Sequence, residues 1–412
     1  KNIIKMKILY IHQHFSTPSG PAGTRSYEMA KQLVARGHLV TMVCGSNKMA
    51  SSGLNGEAVS GLRRGVVDGI NVIEFFLPYS NYDSLLKRSL IFIKYAMRSI
   101  WLVLRMDYDL IFATTTPLTA GIPGIFARIL RRKPFVFEVR DLWPELPREM
   151  KVITNPLVLF MLGALEWCSY HAATACIGLS PGIVHGIVKR GIDENKVAMI
   201  PNGCDLDLFN PQTARCIRPP GVLEGDFLAV FTGAHGVANG LDAVLDAAKV
   251  LKIRARYDIK IVFIGDGKLK PNLVRRAVEE GLDNCLFLDP IPKNQLNAYL
   301  RSADTGLMIL ANVPAFYYGT SPNKFFDYIA IGLPVVNNYP GWLAGIIKDN
   351  NCGIAVPPEN PDMLATALEA LADDREMAAV KGANARRLAE QQFNRTDLAN
   401  RFVDYLEEVC RC

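Results

Sequence analysis

Two loops rich in small residues carry the first hint of chemistry. After the apolar run Lys7–Ile11 comes His12-Gln13-His14-Phe15, then Ser19-Gly20-Pro21-Ala22-Gly23-Thr24 ahead of an amphipathic stretch. Small residues let the backbone approach a ligand, and unsatisfied amides at a helix start suit an anion. A tight strand-to-helix turn uses the same residue types, so one such loop decides little. The anatomy recurs at Thr232-Gly233-Ala234-His235-Gly236, with Asn239-Gly240 opening the next helix. Two equivalent loops argue for an anionic ligand better than either alone.

Three later segments extend the second loop. Gly265-Asp266-Gly267-Lys268 is a glycine turn with a cation, but it lacks the third glycine of the dinucleotide fingerprint. Pro290-Ile291-Pro292 follows another apolar run, where backbone groups around Ile291 can read a nucleobase edge or simply turn the chain. Ser321-Pro322-Asn323-Lys324 precedes a helical pattern containing Asp327. That spacing puts amides and an ammonium near a phosphate and a carboxylate near sugar hydroxyls. The competing reading is an N-terminal cap with an ion pair between Lys324 and Asp327, three residues apart.

The elements that must hold these residues are legible as alternating strand and helix patterns, the mark of βαβ units around parallel sheets. Strands are expected at Lys7–Ile11, Leu39–Cys44, Val72–Phe76, Leu110–Ala113, Phe135–Val139, Ala175–Leu179 and Val197–Ile200, then at Leu228–Thr232, Ile259–Ile264, Cys285–Leu288, Thr305–Ile309, Val335–Asn338 and Gly353–Val356. Between the two series, Pro201–Gly225 is rich in proline and glycine and reads as a linker. The expected domains are 1–205 and 206–395, with a final helix over 396–412 returning to brace the first.

Composition bounds the rest. The 412 residues are half hydrophobic and 21% charged, which excludes disorder, collagen and a disulfide-stapled miniprotein. The longest uncharged apolar stretch, Pro156–Leu165, is half of the ~20 residues that a membrane-spanning helix needs. No bilayer span or signal-peptide cleavage pattern is expected. Nine cysteines without a C-x-x-C pair or a zinc-spaced His cluster point to reduced thiols, a cytoplasmic chain and no metal site. Residues 1–205 carry 24 Lys+Arg against 15 Asp+Glu, net +9, whereas 206–412 are net −3. A basic half suits anionic lipid, a diphosphate or nucleic acid, or is a solvated surface. Nucleic acid is disfavoured, since no aromatic-interleaved basic groove motif accompanies the charge. Ser84–Arg105 interleaves leucines, isoleucines and Trp101 with five cations and no acid, the pattern of an interfacial amphipathic helix, with Arg128, Arg131, Arg132 and Lys133 as a second basic patch. A core-packed helix with solvated cations fits the pattern equally.

Cys176-Ile177-Gly178-Leu179-Ser180, Lys189-Arg190-Gly191, Ile200-Pro201-Asn202-Gly203-Cys204-Asp205 and Phe209-Asn210-Pro211 resemble the middle passage of family 4 retaining glycosyltransferases. The resemblance runs on through Phe231-Thr232-Gly233, Gly265-Asp266-Gly267, Ala303-Asp304 and Asp327-Tyr328-Ile329-Ala330-Ile331-Gly332-Leu333-Pro334-Val335-Val336, and so covers essentially the whole chain. Glu138-Val139-Arg140-Asp141-Leu142-Trp143-Pro144-Glu145 is similar to bacterial enzymes that build O-antigen and capsule repeat units, including the N-acetyl-L-fucosamine transferase branch.

The resemblance implies an α/β protein of GT-B fold, two Rossmann-like domains facing across a deep cleft. It implies transfer of a sugar with retention from a nucleotide diphosphate sugar, UDP-linked by expectation, to a polyprenyl-diphosphate-linked saccharide. Location would be cytoplasmic, peripheral on the inner membrane face and against anionic lipid, with no cofactor and no metal required. Donor-binding roles fall on Gly23, Gly233, His235, Asn239, Lys268, Ile291, Ser321, Asn323, Lys324 and Asp327; catalytic roles on Arg140, Asp141 and Lys324; acceptor-side roles on His14, Thr24 and Glu145. Asp327 matches the second carboxylate of the family's paired glutamates, a ribose partner, while Gly319 stands at the first. The family's diphosphate-clamping Arg and Lys are replaced by Ala234 and Asn239, and Arg140 stands near a family His. Two alternatives share the nucleotide site: a GT-B sugar-nucleotide epimerase and a catalytically silent nucleotide-sugar-binding subunit.

Overall fold

Segments such as KILYI at Lys7–Ile11 and FVFEV at Phe135–Val139 are buried along nearly their whole length, which requires a sheet covered by helices on both faces. The computed structural model describes residues 5–48, 50–80 and 82–411, and there the chain folds into two α/β units. The expected pair of parallel-sheet domains is what the chain adopts.

The first unit runs to Pro201 and takes in Gly319–Ser321 and the chain from Thr396 onward. Its strands are β1 (Lys7–Ile11), β2 (Leu39–Asn47), β3 (Leu62–Val67), β4 (Ile70–Tyr79), β5 (Leu110–Thr114), β6 (Phe135–Val139), β7 (Ala175–Gly178) and β8 (Val197–Met199), in the order β3-β4-β2-β1-β5-β6-β7-β8. Only β3 is antiparallel. The helices are α1 (Arg25–Ala35), α2 (Leu85–Arg105), α3 (Gly121–Leu130), α4 (Glu145–Glu149), α5 (Pro156–Ala172) and α6 (Pro181–Lys189). Right-handed crossovers fix their sides. The α1 connection steps from β1 to β2, whereas those through α2, α3 and α5 step the opposite way, so these three share the other face of the sheet.

The second unit holds β9 (Phe227–Thr232), β10 (Ile259–Ile264), β11 (Cys285–Leu288), β12 (Thr305–Met308), β13 (Val335–Asn337) and β14 (Gly353–Ala355), all parallel, in the order β11-β10-β9-β12-β13-β14. Its helices are α7 (Asp242–Ile253), α8 (Lys270–Glu279), α9 (Lys293–Ser302), α10 (Ala315–Tyr318), α11 (Asn323–Ile331), α12 (Trp342–Asp349), α13 (Pro361–Asp373) and α14 (Arg375–Gln392). The closing helix α15 (Arg395–Arg411) packs from Thr396 on the first unit. There Phe402 meets Phe112 edge-on at 5.0 Å, and Asn400 accepts from Gln32 at 2.7 Å.

The segment read as a linker is not a free tether. From Asn202 it belongs to the second unit, with Cys204 and Phe209 fully buried and Asp205 in ion pairs with Lys293 (2.9 Å) and Arg395 (2.6 Å). The eight described cysteines are free thiols, and Cys412 lies outside the described residues. No helix among the described residues is long and apolar enough to cross a membrane.

Candidate functional site

In the second unit the residues singled out by spacing converge at the C-terminal strand ends, where parallel α/β sheets hold ligands. The loop after β9 turns at Gly233 with φ +129°, a backbone region that disfavours side chains. The loop after β10 lies directly on it: a Cβ at Gly267 would sit 2.6 Å from the His235 carbonyl oxygen, and one at Gly265 would run into that of Gly233. Glycine is therefore what lets the two loops nest. Lys270, at the start of α8, ties the loop after β10 to the end of β11 by donating to the carbonyls of Gly265 (2.9 Å) and Leu288 (2.8 Å). Lys268, in the same loop, is exposed.

Lys324 enters this loop cluster from the first turn of α11. Its Nζ donates to Asn239 Oδ1 at 2.6 Å and lies 4.2 Å from the Phe231 ring centroid, while Asn239 Nδ2 donates to the Ala234 carbonyl at 2.7 Å. Burial without a carboxylate partner lowers the Lys324 pKa to about 7. His235 is fully buried, and its Nδ1 pairs with the Gly233 carbonyl at 3.1 Å, so that nitrogen carries the proton and Nε2 is an acceptor without a partner. Burial and then Lys270 push the imidazole down to about 4, which keeps it neutral. The N-cap of α11 is Pro322, with no side-chain cap, and the adjacent Asn323 Oδ1 is buried without a partner. The first-turn amides of α11 and the Lys324 ammonium together form a ready anion-binding group. Ile291 is half-buried in the turn after β11.

Asp327 does not join this group. It is buried 3.1 Å from Lys293 of α9, which also holds Asp205. The Lys324–Asp327 ion pair of the competing reading is not formed, and the ribose role drawn from the resemblance falls on a carboxylate that is paired with a buried lysine. The reason is packing: Lys293 is 4% exposed, and the two carboxylates beside it offset the cost of burying its charge. Burial opposes its charge, but Asp205 and Asp327 hold its pKa above the usual lysine value.

The first unit carries a separate polar cluster. Arg25 and Glu138, both fully buried, pair at 2.9 Å, and Arg25 also donates to the carbonyls of Ile200 (2.8 Å) and Pro201 (2.6 Å). Burial pushes the Glu138 carboxyl up, but Arg25 and Arg140 outweigh it and hold its pKa low. Arg140 Nε donates to Thr114 Oγ1 (2.7 Å) and Glu138 Oε1 (3.2 Å), and its Nη2 to Ser26 Oγ (2.8 Å). Arg140 is thus anchored by its neighbours while remaining partly exposed. Asp141 lies 3.4 Å from Thr116 Oγ1, and burial raises its pKa.

The other residues expected in this half are scattered. Thr24 is the buried N-cap of α1 but makes no side-chain cap bond, and Gly23 is half-buried beside it. His14 packs on Tyr79 at 4.6 Å with its pKa pushed down to about 4 by burial and then by Arg88. Glu145 is exposed at the start of α4, and Ser321 is buried in the short stretch Gly319–Ser321 that groups with the first unit. Sequence reasoning passed over Arg25, Lys270 and Lys293. For the first, the available signals were a lone glutamate inside an apolar strand and an arginine opening the helix after the small-residue loop. Among the described residues no three His, Cys, Asp or Glu gather as a metal site.

The profile of the glycosyl transferase 4-like domain matches residues 20–203, and that of glycosyl transferases group 1 matches residues 216–388. The chain is 28% identical over 194 residues to a D-inositol 3-phosphate glycosyltransferase of Pseudarthrobacter chlorophenolicus, covering 45% of this chain and 44% of that one. It is 25% identical over 236 residues to the O-antigen chain mannosyltransferase C of Escherichia coli, covering 57% and 60%. The chain thus spans about half the length of the curated relatives it matches. By fold it is similar to sucrose-phosphate synthase from Thermosynechococcus elongatus (TM-score 0.73, 17% identity, covering 98% of this chain and 99% of that one). It is likewise similar to Anabaena Alr3699/HepE solved in complex with UDP and glucose (TM-score 0.69, 18% identity, 98% and 99%).

Proposed function

The chain belongs to the GT-B glycosyltransferases, with a 4-like domain followed by a group 1 domain, and on that premise we propose that it moves a sugar from a UDP-sugar to a polyprenyl-diphosphate-linked saccharide, with retention, at the inner face of the cytoplasmic membrane. The observation that carries the donor half is Lys324: an ammonium paired to no carboxylate, held by Asn239 above nested glycine loops at the N-terminus of α11. Negative charge builds on the diphosphate as its bond to the sugar breaks, and a preorganised cation with helix amides lowers that barrier. The released diphosphate oxygen then accepts the acceptor's hydroxyl proton, so no separate base is required. UDP as the nucleotide is supported by the fold neighbour bound to UDP and glucose. The lipid-linked acceptor is supported by the similarity to an O-antigen chain mannosyltransferase. Arg140 and Asp141 are the acceptor-side positioning residues in this reading.

A catalytically silent nucleotide-sugar-binding subunit is the second reading, favoured by Ala234 and Asn239 standing where the family carries its diphosphate clamp. Mass spectrometry of products from a panel of UDP-sugars, with and without a polyprenyl-diphosphate-linked acceptor, separates the readings. A glycosylated lipid with released UDP is the expected result. Donor bound but never consumed identifies the silent subunit, and an altered nucleotide sugar formed without acceptor identifies an epimerase.

A further inference from the structure

The face of the first unit built from α2, α3 and α5 is apolar on its outside. Of the thirty large hydrophobic side chains exposed among the described residues, fifteen lie on these three helices. On α2 the exposed residues Leu86, Leu90, Ile93, Met97, Trp101 and Leu104 fall within an arc of about 80° at 100° per residue, one continuous stripe. The core face of the same helix is separately supplied by Ile91, Tyr95, Ile100 and Val103, so the outer stripe is surplus to folding. Helix α3 packs beside it and exposes Ile129 (65%) and Leu130 (58%). Helix α5 packs on α3 in turn, and its first turns carry no charge and stand clear of the core, with Leu157 66%, Phe160 74% and Met161 62% exposed.

Charge on this face has one sign and one side. On the same helical wheel Lys87, Lys94, Arg98 and Arg105 lie between the apolar stripe and the buried arc of α2, and α2 contains no acid. Lys87 pairs with Asp83 just before the helix, and Arg105 stacks over Trp101 at 4.5 Å. Arg131, expected in a second basic patch, instead donates to the Leu104 carbonyl (2.6 Å) at the end of α2 and fixes that helix in place. An apolar stripe flanked by cations, beside a helix end of bare hydrocarbon, is complementary to a bilayer interface: acyl chains for the stripe and anionic headgroups for the flank.

We infer that the α2–α3–α5 face is a docking surface for an anionic bilayer, with the first turns of α5 inserting as a wedge and the α2 cations meeting the headgroups. This deepens the membrane part of the reading above by naming the surface, and its test uses neither donor nor turnover, so the two can fail separately.

Co-sedimentation of the full chain with phosphatidylglycerol/phosphatidylcholine vesicles and with pure phosphatidylcholine vesicles reads it directly. Binding should need the anionic lipid and fall as salt rises. Lys94→Glu should lower the partition coefficient at least fivefold, the ~1 kcal/mol per basic residue converted at RT. Phe160→Ser with Met161→Ser should lower it at least tenfold; both side chains are already exposed, so the melting temperature should hold. Equal binding to both vesicle types, no binding to either, or unaltered binding by the variants would overturn the proposal. So would a dimer in sedimentation equilibrium that the α5 substitutions dissolve, since a second copy would then be the occupant.

Discussion

Lys324 donates to Asn239 at 2.6 Å, and this contact joins the first turn of α11 to the loop after β9. Asp327, one turn further along the same helix, faces Lys293 instead. The ammonium is thereby left with an amide oxygen and an aromatic face for company, both of which a diphosphate readily outcompetes.

With its pKa lowered by burial to about 7, Lys324 should make the proposed UDP binding pH-dependent. Above that pH the free folded protein holds a neutral amine, and binding the diphosphate must take up a proton; His235, with its pKa near 4, stays neutral throughout. Affinity should fall about 15-fold between pH 7 and 8.5, where the charge of UDP itself is nearly constant. Calorimetry in two buffers of different ionisation enthalpy should show proton uptake at pH 8. A flat profile would remove Lys324 from the diphosphate.

Lys293→Met should cost stability rather than donor affinity. It strips Asp327 of its nearby cation in a buried site and leaves Asp205 with Arg395 alone. Loss of one partner from a buried ion cluster costs about 3–5 kcal/mol. Thermal unfolding should shift down clearly, while the Kd for UDP stays within about twofold. A large loss of UDP affinity with an unchanged melting temperature would return Asp327 and its neighbours to the donor site.

Arg140→Ala removes charge-assisted hydrogen bonds to Glu138, Thr114 and Ser26 in the first unit. Stability should drop by about 1.5–3 kcal/mol. Turnover should fall at least tenfold further than the folded fraction explains, with UDP affinity unaltered. Normal activity per folded molecule would make Arg140 a brace for the loop after β6 and nothing more.

The strands and the glycine loops were legible because burial on both sheet faces and tight strand-to-helix turns leave local marks in residue type. The hairpin strand β3 was not: LRRGVV is half-exposed and interrupted by two arginines and a glycine, and it is held by its antiparallel pairing with β4, where Arg63 also reaches Glu74 at 2.7 Å. Pro201–Gly225 looked like a linker since proline and glycine erase periodicity, yet Cys204 and Phe209 pack without needing any. Lys324 was found from its place after Ser321-Pro322-Asn323. Its separation from Asp327 was beyond reach, because the competing partner Lys293 stands 34 residues earlier on α9 and only tertiary packing brings it there.

The most direct test of the donor site is calorimetric titration of UDP into the wild-type chain and into Lys324→Ala at pH 7. The wild type should bind with one site, and the variant, with unchanged circular dichroism, should bind about 10- to 150-fold more weakly, the roughly 1.5–3 kcal/mol of one charge-assisted contact. Equal affinity in the two proteins, or no binding of UDP to the wild type, would contradict the account.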